Sequence, residues 1–129
     1  SSKKVNFVLN LPQDTEIILP INQCLIEWTL ENLSKNAIDA MGGIGTLTLD
    51  LTQDSKRVFI DVSDTGKGMP KKQFKKVFEA GFTTKERGWG MGLSLAKRII
   101  EEYHHGKIFV KQSTINRGTT FRIVLKKEE

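Results

Sequence analysis

Apolar residues recur along this chain with two periods, and each change of period marks an element. Val5, Phe7, Leu9 and Leu11 alternate with more polar neighbours, as a strand does, and Pro12 with Gln13-Asp14 closes the run. Glu16 to Leu19 is a second short extended run. From Pro20, a residue suited to open a helix, the spacing changes. At about 100° per residue Leu25, Ile26, Leu30, Leu33, Ala37 and Met41 share one arc, with Glu27, Glu31, Ser34 and Lys35 opposite. This predicts a long amphipathic helix that stops at Gly42-Gly43. Alternation returns at Leu47, Leu49 and Leu51, then at Val58, Ile60 and Val62, across a turn at Asp54-Ser55-Lys56, and predicts an antiparallel hairpin with one buried face. Pro70 opens a short helical pattern in which Phe74, Val77 and Phe78 share a face. A stronger one runs from about Leu93 to Tyr103, with Leu95, Ile99 and either Leu93 or Ala96 facing inward and Gly106 as its stop. Ile108 and Val110, a turn at Asn116-Arg117-Gly118, and Phe121, Ile123 and Leu125 complete a second hairpin. The pattern describes one domain over residues 1–129: an α/β (α+β) two-layer sandwich, its sheet mixed but mainly antiparallel, with about three helices on one face.

Composition adds limits to this picture. At 129 residues and 38% hydrophobic content the chain can bury a core on one side of a sheet. No apolar run approaches a bilayer span, and Ser1-Ser2-Lys3-Lys4 is followed by no signal-peptide segment, so a soluble piece is expected. The single cysteine, Cys24, precludes an internal disulfide and reads as a core thiol in a reducing compartment. A net charge of +5 favours anionic partners, yet the basic residues lie in small groups such as Lys71-Lys72 and Lys75-Lys76. Aromatic residues do not interleave with them as a nucleic-acid surface needs, so no nucleic-acid binding is expected.

The candidate chemistry lies at the edges of these elements. Asn32 and Asn36, one turn apart, project along the rim of the apolar arc with Asp39 beside them, where the amides either bond nearby backbone or serve a site. The strand through Val62 runs into Asp64-Thr65-Gly66-Lys67-Gly68-Met69. Its carboxylate accepts hydrogen bonds without donating, which suits an exocyclic amine such as that of adenine, although a plain turn is also open. Residues 79–92 have no period and hold glycines at 88, 90 and 92 just before a helix, where free N–H groups suit phosphate. These glycines match neither the dinucleotide fingerprint nor the Walker loop.

The order of these motifs closely resembles the catalytic ATP-binding domain of sensor histidine kinases, in the superfamily of gyrase-type ATPases and heat-shock chaperones. Asn32 to Ala37 is similar to the N box, Asp64 to Met69 to the first glycine box, Phe78 to Lys85 to the F box, Gly88 to Leu93 to the second glycine box, and Gly118 to Phe121 to the last glycine motif. The resemblance implies a Bergerat fold with an ATP lid, and ATP and Mg²⁺ as cofactors. It implies that Asp64 binds the adenine amino group near Met69 and Thr119, and that Asn36 is a magnesium ligand with Asn32 supporting phosphate or metal. Thr83, Thr84 and Lys85 would belong to the lid, and Gly88, Gly90, Gly92 and Leu93 would bring its backbone to the phosphates. Hydrolysing relatives carry a water-activating Glu where this chain has Asn32, which favours phosphotransfer. The implied partners are a helical dimerisation and phosphoacceptor segment of the parent kinase and a downstream response regulator. The domain itself would be a cytoplasmic monomer without membrane contact. His104 and His105 read as helix-end or surface residues, so the acceptor histidine is expected elsewhere. An anti-sigma-type Ser/Thr kinase and a non-catalytic nucleotide-binding module are the alternatives.

Overall fold

A computed structural model describes residues 4–13, 16–82 and 92–127. The strands β1 (Lys4–Asn10), β2 (Ile44–Gln53), β3 (Arg57–Ser63), β4 (Lys107–Thr114) and β5 (Gly118–Lys126) form a five-stranded sheet in the order β1-β2-β3-β5-β4. Short turns make β2–β3 and β4–β5 antiparallel. β1 reaches β2 only through a long helix, α1 (Gln23–Ala40), and lies parallel to it. The expected mixed, mainly antiparallel sheet is therefore found.

Helix α1 begins at Gln23, after Pro20, because Asn22 takes the N-cap and its side-chain oxygen accepts from the Leu25 N–H at 3.1 Å. Ile26, Leu33 and Ala37 are buried as the period requires. Thr29 joins them, its hydroxyl donating to the Leu25 carbonyl at 2.9 Å, which is how a polar side chain fits this face. Cys24 corrects the sequence reading: it is exposed, because two positions before Ile26 it points about 200° away from the buried arc.

The second helical run is divided. α2 (Gly92–Arg98) is α-helical and Ile99–Tyr103 is a π-helical turn. Ala96, Ile99 and Ile100 face the core, whereas Leu95 is 41% exposed rather than inward, two positions off the Leu93–Ala96–Ile100 arc. The segment after Pro70 makes two 3-10 turns, Lys71–Gln73 and Lys76–Phe78, and still buries Val77 and Phe78. Among the described residues Glu16 to Leu19 pairs with no strand, but Ile17 and Leu19 lean on the core. His104 ties the end of the π turn to the start of α1: its Nε2 accepts the Asn22 N–H at 3.0 Å, and Nδ1 lies 2.8 Å from the Ile99 carbonyl, to which it donates.

Across the helix-covered face, Val58, Ile60 and Val62 stand opposite Leu125, Ile123 and Phe121. Phe78 meets Phe121 edge-to-face, with ring centroids 5.9 Å apart. On the other face Asp61 stands opposite Arg122, whose Nε and Nη2 donate to it at 2.7 and 2.8 Å. Burial would push the Asp61 carboxyl up, but the hydrogen bonds and charges of Arg122 and Lys111 outweigh it and hold the group below the usual range. That stability is present above the unfolded pKa and is lost as pH falls through the folded one. Asp61→Asn is expected to cost about 1–3 kcal/mol near neutrality, and denaturant melts should show the gap closing in acid. Among the described residues no helix is long and apolar enough to cross a membrane.

Candidate functional site

The end of β3 and the start of β5 build one half of the site. Asp64 donates its backbone N–H to the Thr119 carbonyl at 2.9 Å. Its Oδ1 accepts from the N–H groups of Gly66 at 2.8 Å and Thr119 at 3.3 Å. No described residue donates to Oδ2, so a buried carboxylate keeps one acceptor oxygen for a ligand. Burial pushes its pKa up, opposed by the Gly66 and Thr119 N–H donors. The loop is held from both sides. Lys67 N–H donates to the Ala40 carbonyl at the end of α1, Asn116 N–H to the Lys67 carbonyl, and Met69 N–H to Ser113 Oγ. Gly66 and Gly68 lie within this loop, Gly68 against the Thr114 carbonyl.

The other half lies on α1. Asn32 and Asn36 are half-buried on the face toward α2, and Asp39 is exposed on the last turn. Among the described residues Asn32 Nδ2 is a buried donor without a hydrogen-bond partner, a costly state unless something else supplies an acceptor. Gly92, the first residue of α2, sits directly over it: a Cβ there would lie 2.8 Å from both amide atoms of Asn32. Leu93 packs against the core beside it. Thr83, Thr84, Lys85, Gly88 and Gly90 lie outside the described residues.

The structure thus brings Asp64, Gly66, Gly68, Met69 and Thr119 together at one end of α1 and Asn32 with Gly92 further along it. Ser113 was missed by the sequence reading, since nothing in its polar surroundings marks it, and so was the role of Thr65, whose hydroxyl accepts the Thr46 N–H at 3.1 Å.

A family described as "Histidine kinase-, DNA gyrase B-, and HSP90-like ATPase" matches residues 23–129. The chain belongs to this ATPase family. Sporulation kinase A of Bacillus subtilis (strain 168) is 40% identical over 75% of the chain, and sensor histidine kinase WalK of the same organism is 34% identical over 97%. The chain spans only 16% and 21% of the lengths of those two relatives. The solved catalytic domain of histidine kinase ThkA superposes with a TM-score of 0.82 at 31% identity, covering 95% of this chain and 80% of that one. ThkA has also been solved in complex with the response regulator protein TrrA, where the likeness is 0.78 at 28% identity over 96% of this chain and 34% of that one. The fold is the Bergerat-type α/β fold of histidine-kinase catalytic domains, and the matched family is one of ATPases.

Proposed function

We propose that this ATPase-family domain binds Mg-ATP across the two half-sites and passes the γ-phosphoryl group to a histidine on a helical phosphoacceptor segment of a longer kinase. The observation that carries this reading is the buried Asp64 carboxylate, with Oδ1 taken by two backbone donors and no described residue donating to Oδ2. It is an acceptor placed for the adenine amino group. At the other end the unpartnered Asn32 amide offers a donor to phosphate oxygens. Asn36 offers an amide oxygen, the hard ligand that magnesium takes alongside phosphates and waters. The donor set fits this ion, which when bound neutralises phosphate charge. Thr83, Thr84, Lys85, Gly88 and Gly90 complete the nucleotide-binding residues in this reading, with Lys85 offering positive charge to the phosphates.

Asn32 stands one turn before Asn36 and cannot take a proton from water, while Glu31 is exposed on another face of α1. This favours phosphotransfer over hydrolysis, and the histidine-kinase relatives make an imidazole nitrogen the acceptor in this reading: it forms the bond to γ-phosphorus as the β–γ bridging bond breaks and ADP leaves. A response regulator downstream, a cytoplasmic location and a monomeric isolated domain accord with this role. Mixing the domain with its helical acceptor segment and γ-labelled ATP is expected to give an acid-labile, base-stable phosphoprotein. Acid-stable label, or phosphate release without labelled protein, overturns the reading. Asn36→Ala is expected to weaken ATP binding about tenfold in magnesium and to leave it nearly unchanged in EDTA, read by calorimetry.

A further inference from the structure

β4 carries a β-bulge that alters what it presents to the site. Ile108 and Val110 pair with Ile123 and Phe121 on the core face, but pairing then skips from Val110 to Gln112, leaving Lys111 as the extra residue. The skip flips the alternation. Without it Gln112 and Thr114 would follow Val110 onto the core side; with it Ser113 stands opposite Thr119, which is 4% exposed and belongs to the core-facing set of β5. Lys111 is sent to the opposite face, 3.5 Å from Asp61.

Ser113 Oγ then sits at a junction. It accepts the Met69 N–H at 2.8 Å, and lies 2.7 Å from Thr119 Oγ1 and 3.1 Å from the Gly118 carbonyl. A hydroxyl has one proton and two lone pairs, so Ser113 donates either to the Gly118 carbonyl or to Thr119 Oγ1, never to both. In one, Ser113 donates to Gly118, Thr119 donates to Ser113, and Thr119 shows the pocket only lone pairs. In the other, Ser113 turns its proton from the Gly118 carbonyl to Thr119, and the Thr119 proton is released to point at a ligand, whose bond offsets the one given up at Gly118. Thr119 N–H donates to Asp64 Oδ1 at 3.3 Å, which sets the Thr119 side chain beside the carboxylate proposed to hold the base. Adenine presents an amino donor with an acceptor, N1, beside it. Guanine presents an acceptor, O6, beside N1–H. The second arrangement, with Asp64 accepting and Thr119 donating, matches adenine.

We propose that Ser113, placed by the bulge at Lys111, is a positioning residue for base selection: its hydroxyl turns the Thr119 proton toward adenine N1, directly or through a water, and anchors Met69. This rests on the reading that Asp64 holds the base. Val and Thr at position 113 have nearly the same shape and differ in the hydroxyl, so Ser113→Val and Ser113→Thr separate chemistry from packing.

Binding of ATP, GTP and 1-deaza-ATP is measured by calorimetry on wild type and both variants. Ser113→Val is expected to weaken ATP about tenfold and to narrow the ATP-to-GTP ratio several-fold, and Ser113→Thr to restore both. Replacing N1 by carbon is expected to cost wild type about tenfold and Ser113→Val almost nothing, because the two changes remove the same interaction. Equal weakening of ATP and GTP in Ser113→Val, or an undiminished 1-deaza penalty, overturns the proposal while leaving the ATP site intact. Should Ser113→Val fail to fold, the wild-type 1-deaza penalty decides, and its absence overturns the proposal. Wild type that binds no adenine nucleotide overturns the ATP reading itself.

Discussion

Asp64→Asn is expected to reduce ATP affinity by about 10²–10³-fold while leaving the fold intact or more stable. Oδ1 of Asp64 faces two backbone N–H donors. An asparagine must therefore put its oxygen there, which forces its NH₂ into the place of Oδ2. That group would meet the adenine amine donor to donor. The loss combines a charge-assisted hydrogen bond with an unsatisfied donor, about 3–4 kcal/mol in all. Stability moves the other way, since burial raises the Asp64 pKa and its ionised form is costly. A carboxyl whose folded pKa lies above the unfolded value contributes stability fully below the unfolded pKa, and loses it as pH rises through the folded one. The variant removes that loss. Binding in the native protein should weaken as pH falls through the raised pKa of Asp64. Calorimetry and thermal melts on the same samples test both signs. ATP affinity within threefold of wild type would contradict the role given to Asp64.

Gly118→Ala is expected to damage fold and site together. Gly118 has φ +120°, and a Cβ there would lie 1.9 Å from the Asp64 carbonyl oxygen and 2.8 Å from its carbon. The obstruction is backbone, which cannot rotate aside, so β5 must draw away from the β3 end and loosen the Asp64–Thr119 hydrogen bonds. Strain and overpacking together cost about 2–6 kcal/mol, or about 10–20 °C in Tm for a chain of this size. Gly42 is the comparison: it also has positive φ, +64°, but a Cβ there meets nothing within 4 Å. Gly42→Ala should cost about 1 kcal/mol and leave ATP binding unchanged. Equal melting shifts for the two variants would refute the close-approach argument.

The strands and α1 were legible because each rests on a period, and the candidate site residues were picked out because they fall in an ordered set of motifs. Alternation marked β1 as a strand but not what covers it: Phe7 and Leu9 are 67% and 65% exposed, since helix placement, not strand periodicity, decides which apolar rows are roofed. The bulge at Lys111 was invisible because one unpaired residue leaves no compositional trace, and with it went Ser113. The π turn at Ile99–Tyr103 was read as continued α-helix because a single widened turn keeps the same apolar residues inward. The backbone donors that satisfy one oxygen of Asp64 belong to tertiary geometry and carry no side-chain signature.

One consequence of α1 concerns distance. The base loop is fastened to its last residue, Ala40, through Lys67, and the start of α2 rests on Asn32. The interval from Asn32 to Ala40 is about 12 Å of rigid rise at ~1.5 Å per residue. α1 therefore acts as a gauge between the Asp64 loop and the start of α2. Inserting or deleting one residue between Asn32 and Ala40 would change that span only slightly but rotate one anchor by about 100° against the other, so length and bearing along this helix are inherited as a unit.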